Sequence, residues 1–146
     1  AGVVAVPVLG QLFRAQQGLG AWCNETPIRA MEQAPPADRA FVCLSRNAHQ
    51  YLHVSGDFRV LSMGSTASNF VQVARGTVMG AVGRSHCWDH VAPAAIIGEA
   101  GGVIRHLDGQ RVDWLTALDG TRFDPPLLAS SGALWDRVAE GVTNRS

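Results

Sequence analysis

The chain has 146 residues, with 12 basic and 12 acidic side chains, a formal net charge of zero and 47% hydrophobic residues; this is one domain's length and an ordinary globular composition. A neutral chain carries no global field toward nucleic acid or acidic lipid, so neither partner is expected, and no apolar run reaches the ~20 residues of a membrane-spanning helix. Every basic side chain is arginine, which excludes a lysine nucleophile, a Schiff base and the lysine of a P-loop.

Three cysteines, Cys23, Cys43 and Cys87, form neither a C-x-x-C spacing nor an even set. A reducing, cytoplasmic setting without a disulfide framework is expected. The opening run Ala1-Gly2-Val3-Val4-Ala5-Val6-Pro7 lacks the charged flank of a signal peptide and reads as a chain entered part-way through a sheet. Val3 to Leu9 is expected as one strand, with Pro7 imposing an edge or bulge. Gln11 to Gln17 comes next as a second and Ala21 to Arg29 as a third, with turns at Gly10 and at Gly18 to Gly20. Three short strands do not cover their own face and need a partner layer.

Met31 to Arg39, with Pro35-Pro36 and three charges, breaks the pattern and reads as a boundary. The expected division is residues 1–33, strands of an N-terminal sheet domain, and residues 34–146, a C-terminal α/β domain. Ala40 to Ser45 predicts a buried strand, and Arg46 to Asp57 a short helix or a loop. After a strand over Phe58 to Met63, Gly64-Ser65-Thr66 opens a helix whose apolar positions Ala67, Phe70, Val71 and Ala74 have helical spacing and which Gly76 ends in a left-handed cap. Val78 to Val82 is the next strand and Gly83 to Cys87 a turn. A second helix starts at about Asp89, carries Pro93 in its first turn and stops at Gly101-Gly102. Val103 to Leu107 and Val112 to Leu115 predict a hairpin about Asp108-Gly109. Beyond the loops at Asp119-Gly120 and Asp124-Pro125-Pro126, Leu127 to Ser130 is the last strand. A closing helix carries Leu134, Trp135, Val138 and Val142. Strands alternating with helices from residue 40 predict a layered α/β fold.

Asp89 stands at a helix start, where a carboxylate either caps free N–H groups or serves a hard cation such as Mg²⁺. Local spacing puts no second carboxylate beside it. The Gly64-Ser65-Thr66 start offers N–H groups and hydroxyls to a phosphate or sugar hydroxyl, or is simply an N-cap. Neither G-x-G-x-x-G nor G-x-x-x-x-G-K is present. His86 and Cys87 are adjacent on a turn and point apart, so they do not share a proton. His49 and His53 have i, i+4 spacing without the glutamate or third ligand of a zinc site and read as a surface pair. Trp22, Trp88, Trp114 and Trp135 are expected in the core.

The stretch Trp88-Asp89-His90-Val91-Ala92-Pro93-Ala94-Ala95-Ile96-Ile97-Gly98-Glu99-Ala100-Gly101-Gly102 resembles the C-terminal signature of the inositol monophosphatase family, W-D-x-A-[GSA], a helix, then E-A-G-G, with Val91 where alanine is usual. The similarity extends to Gly64-Ser65-Thr66-Ala67, Val73-Ala74-Arg75-Gly76 and Leu107-Asp108-Gly109, and back to Gly2-Val3-Val4, Pro7, Phe13, Ala15, Gly18 and Gly20-Ala21-Trp22. The resemblance implies a layered α/β sandwich of the inositol monophosphatase or sugar phosphatase type, incomplete at the N-terminus. It implies a Mg²⁺-dependent phosphomonoesterase, expected as a homodimer, in which Asp89 is a metal ligand and Gly64, Ser65 and Thr66 line the substrate pocket.

The family's D-P-x-D-G-T motif and upstream glutamate have no counterpart in this sequence, so the chain is expected to be the C-terminal part of a longer enzyme and to lack catalysis alone. Inositol-type members place an acidic residue shortly before W-D, where this chain has Val82; that weakens myo-inositol phosphate and leaves histidinol phosphate, a sugar phosphate or a nucleotide 3′-phosphate. The alternative is a non-catalytic dimerisation or regulatory module derived from the family. A nucleotide-binding α/β domain is the third reading and lacks its fingerprints.

Overall fold

A computed structural model describes residues 1–145. Its first four strands, β1 (Gly2–Val6), β2 (Gln11–Ala15), β3 (Ala21–Cys23) and β4 (Thr26–Ile28), form an antiparallel meander in sequence order. The expected strand over Val3 to Leu9 stops at Val6, because Pro7 has no N–H to extend the ladder and instead starts a 3-10 turn over Pro7–Leu9. The expected strand over Ala21 to Arg29 folds back on itself as β3 and β4. Asn24 makes the turn at φ 52°, a conformation its side chain tolerates better than most. That side chain accepts from the Leu12 N–H at 2.8 Å and donates to the Gly10 carbonyl at 3.0 Å, locking two turns together.

Beyond residue 40 the chain forms β5 (Phe41–Leu44), β6 (Leu52–Val54), β7 (Arg59–Leu61), α1 (Thr66–Ala74), β8 (Gly80–Gly83), α2 (Cys87–Glu99), β9 (Gly102–His106), β10 (Leu127–Ser131), α3 (Trp135–Gly141) and β11 (Val142–Asn144). The stretch from Arg46 to Asp57 is a 3-10 turn at Ala48–Gln50 followed by β6, neither a helix nor a plain loop. α1 ends in a Schellman motif: Gly76 at φ 72° donates to Val73 and Thr77 donates to Gln72.

The five-stranded sheet has the order β7-β5-β8-β10-β9, with β5 parallel to both β7 and β8 and β10 antiparallel to both β8 and β9. The hairpin expected between Val103–Leu107 and Val112–Leu115 does not form, and β9 pairs with β10 instead. Asp113 is the local reason: its carboxylate accepts from the Leu115 N–H at 3.0 Å and bends the chain out of an extended path. Trp114 packs edge-on against Phe123, with ring centroids 5.8 Å apart. Nor is β10 the last strand. Val142 leaves the closing helix and enters β11, which pairs with β6.

Helices α1 and α2 lie between the meander and the five-stranded sheet. One core cluster joins Phe13 and Ala21 of the meander to Phe70, Val73, Ile96 and Ile97 of the helices and to Cys43, Ala81 and Leu127 of the sheet. A second cluster, on the far face of that sheet, joins Val42, Leu44, Val82 and Leu128 to Leu134 and Val138 at α3. Alternate residues of β5 thus face opposite layers, and both faces are dry, which is why Phe41–Leu44 is uniformly apolar. Sheet, helices, sheet, helix is the layered α/β architecture expected. None of the described helices is long and apolar enough to cross a membrane.

Candidate functional site at the ends of three parallel strands

Because β5, β7 and β8 are parallel, their C-terminal ends lie at one edge of the sheet. The segments leaving them meet there in a cleft of about 260 Å³: Ser45, Arg46 and Asn47 come after β5, Gly64, Ser65 and Thr66 after β7, and Arg84 after β8. Open α/β sheets hold ligands outside the carboxyl ends of their parallel strands for this geometric reason. Asn69 completes the lining.

Gly64 has a φ of 78°, which turns the chain sharply from strand to helix. Ser65, with extended φ and ψ, is the N-cap of α1, and its Oγ accepts from the Ser68 N–H at 3.3 Å. Thr66 and Ala67 keep first-turn N–H groups without intrahelical acceptors. The carboxamide of Asn69 donates to the Leu44 carbonyl at 3.2 Å and accepts from the Met63 N–H at 2.9 Å. It therefore ties the end of β5 to the approach to α1 and sets the width of the cleft between them.

Asp89 is the third residue of α2, since that helix starts at Cys87 rather than at Asp89. Pro93 consequently lies inside the helix, not in its first turn. Lacking an N–H, it leaves the Asp89 carbonyl without its usual helical donor. Asp89 is half-buried, with its N–H bonded to the His86 carbonyl at 3.1 Å. Gly64, Ser65 and Thr66 share one cleft; Asp89 stands at the next helix start along the same sheet edge and is not part of that lining. Among the described residues no three His, Cys, Asp or Glu side chains converge on a point. Asp89 fits Mg²⁺ as a single hard-oxygen ligand, in keeping with an ion that uses one or two carboxylates with water and substrate oxygens.

Several residues reach the site through pairings distant in sequence. The register Leu127 opposite Gly83 carries Asp124 back to Arg84, and the two side chains form an ion pair. The Arg84 guanidinium also lies over the Tyr51 ring, 5.9 Å from its centroid. Ser85 Oγ is 2.9 Å from His90 Nε2. His90 is fully buried, its ring edge-on to Phe70 and Phe123, and desolvation lowers its pKa to about 3, so the imidazole is neutral. Val82 is fully buried in the cluster that faces α3, so no polar contact to a cleft ligand comes from that position.

His86 stacks on Trp88 at 4.4 Å while Cys87 is buried, so the neighbouring pair does diverge. His49 and His53 are both exposed, one in a 3-10 turn and the other on β6. The tryptophans depart from expectation. Trp88 is 62% exposed, and Trp22, Trp114 and Trp135 are half-buried, with Trp22 and Trp135 lying under the guanidinium groups of Arg14 and Arg105.

The sequence profile of the inositol monophosphatase family matches residues 1–125. "Fructose-1,6-bisphosphatase/inositol-1-monophosphatase" of Thermotoga maritima is 28% identical over 151 residues, covering 97% of this chain and 54% of that protein. Human "Inositol monophosphatase 1" is 29% identical over 158 residues, covering 97% and 53%. The solved inositol monophosphatase of Anabaena (Nostoc) sp. PCC 7120 superposes with a TM-score of 0.73 at 23% identity, over 95% of this chain and 56% of that one, and shares its fold. The chain spans about half the length of the relatives it matches. On the profile match, the W-D and E-A-G-G stretches of α2 and the layered fold around them, the chain belongs to the inositol monophosphatase family.

Proposed function

We propose that the whole protein hydrolyses a small phosphate monoester with the help of Mg²⁺, and that this chain supplies one wall of its active site. The observation that supports this reading is that two helix N-termini, α1 capped by Ser65 and α2 starting at Cys87 with Asp89 in its first turn, lie at the same end of parallel strands in a member of a phosphatase family. Bound Mg²⁺ supplies a water nucleophile of lowered pKa and neutralises charge on the leaving oxygen. The residues of this chain bind and orient. Asp89 offers a carboxylate to the metal, the α1 start and the hydroxyls of Ser65 and Thr66 orient the substrate, and Arg46 and Arg84 draw an anion to the cleft. A histidinol phosphate, a sugar phosphate or a nucleotide 3′-phosphate suits an edge where Val82 offers no acceptor for an inositol hydroxyl.

With one carboxylate for the metal, the 146-residue chain alone is proposed to be inactive, and the cytoplasmic homodimer remains part of the same proposal. The test is Mg²⁺-dependent phosphate release by the longest natural protein that contains this segment, with and without Asp89→Asn. Loss of turnover by roughly two orders of magnitude supports the reading. Unchanged turnover and metal dependence reduce Asp89 to a helix cap.

A non-catalytic dimerisation module is the second reading, favoured by the apolar outer face of the meander, where Val3 and Leu12 are exposed. It predicts no phosphate release under any metal condition.

A further inference from the structure

His90 follows Asp89 directly in α2 and is fully buried, its ring edge-on to Phe70 of α1 at 4.6 Å and to Phe123 at 5.4 Å. Nε2 lies 2.9 Å from Ser85 Oγ, while Nδ1 is buried with no hydrogen-bond partner among the described residues. A buried polar atom left unpaired costs stability. An aliphatic side chain would fill the same apolar pocket without that cost, so packing alone does not account for an imidazole here.

The bond spans Ser85 to His90, and Asp89 lies inside that span. The helix itself holds this turn loosely. The N-cap residue His86 makes no side-chain capping bond, the Asp89 N–H reaches only to the His86 carbonyl at 3.1 Å, and Pro93 offers the Asp89 carbonyl no N–H. Ser85 is fixed in turn through its own carbonyl, which accepts from the N–H of the buried Phe123 at 3.0 Å. The Ser85–His90 bond therefore ties the turn that carries Asp89 to the core. Resting on the reading of Asp89 as a metal ligand, we propose that His90 and Ser85 are positioning residues: together they form a latch that aims the Asp89 carboxylate and so raises the affinity of the site for its divalent cation. Neither touches the cation; both act through the backbone of the first turn of α2.

The experiment measures binding of Mn²⁺, a spectroscopic stand-in for Mg²⁺, by electron paramagnetic resonance to the longest natural protein that contains this segment, alongside its metal-free melting temperature. His90→Leu keeps the pocket filled and breaks the latch; Ser85→Ala breaks it from the half-buried side. Each is expected to weaken Mn²⁺ binding on the order of tenfold, as for other groups that orient a metal ligand, without lowering the metal-free melting temperature. The double variant loses no more than either single one, because both remove the same bond. His90→Gln, whose carboxamide still offers Ser85 a partner, recovers most of the affinity. Wild-type affinity in His90→Leu or Ser85→Ala, additive losses in the double variant, or a loss that tracks a drop in metal-free melting temperature overturns the latch. If the His90 variants do not fold, Ser85→Ala decides alone. Asp89→Asn tells the two readings apart: its loss of Mn²⁺ binding beside an unaffected Ser85→Ala overturns only the latch, whereas full affinity in Asp89→Asn overturns the metal role of Asp89 and the latch with it.

Discussion

Gly20 donates its backbone N–H to the Glu99 carboxylate at 3.0 Å, across 79 residues of sequence, and the Gly18 N–H joins it at 3.1 Å. Glu99 is the last residue of α2, where the helix dipole disfavours a negative charge. The turn between β2 and β3 supplies the compensation, so the helix and the meander are stitched together by an acceptor placed against its local preference. Glu99→Ala is expected to cost about 1–2 kcal/mol, since the contact is only partly shielded. The loss is read as a fall of a few degrees in the thermal midpoint. Glu99→Gln keeps an acceptor and removes the dipole conflict, so it costs less than half as much.

Asp89→Asn separates the metal role from the capping role. A third-position helix carboxylate contributes about 0.3–1 kcal/mol through the dipole, so the variant melts within about three degrees of the wild type. A Mg²⁺-induced rise in melting temperature, by contrast, depends on the carboxylate and is abolished. A rise that persists in Asp89→Asn assigns the ion to other residues.

Burial of His90 makes stability depend on acid. An unfolded chain binds a proton at this imidazole below its ordinary value of 6.5, whereas the folded chain excludes it down to about 3. Stability is therefore complete above pH 6.5 and falls as the pH drops through that window, by roughly 2 kcal/mol between pH 7 and 5. Urea midpoints at the two pH values measure it. His90→Gln keeps a partner for Ser85 and flattens the dependence.

A Cβ at Gly83 meets Ser45 Oγ at 2.9 Å, Thr66 Cγ2 at 3.2 Å and Phe70 Cε2 at 3.3 Å. Gly83→Ala is expected to cost about 1–3 kcal/mol by overpacking. It also spreads the ends of β5 and α1, so phosphate-ester binding weakens along with stability. Unaltered binding in a folded variant means that the cleft does not depend on this approach.

The outer face of the meander exposes Val3 and Leu12 on neighbouring strands, and β1 is an open sheet edge. The isolated chain is expected to associate as its concentration rises. Val3→Lys with Leu12→Glu shifts size-exclusion elution toward the monomer. A sharp monomeric peak from the wild type at high concentration contradicts this.

The features legible in the sequence are local ones. Ser65 as the cap of α1, Gly76 as its terminator and the uniformly apolar β5 obey rules that operate within a few residues, and the W-D to E-A-G-G stretch carries the family likeness. Expectation and structure part where a side chain competes with the backbone: Asn24 bends one strand into two, and Asp113 diverts the expected partner of β9. Arg46, Asn69 and Arg84 carry no signal along the chain, because strand register rather than sequence spacing brings them together. Only once β5, β7 and β8 are paired in parallel do the residues just past their ends become neighbours.

The five-stranded sheet also determines how the cleft moves. β7 is a three-residue edge strand with every residue exposed, whereas β5 and β8 are interior and dry. Amide protons of Val42–Leu44 are thus protected until the whole molecule opens, while those of Arg59–Leu61 exchange through local fraying. The wall that carries Gly64 to Thr66, next to this edge strand, is expected to open more readily than the β5 and β8 strands that lead to Arg46 and Arg84. Ligands that bridge the two walls slow exchange on the β7 side alone.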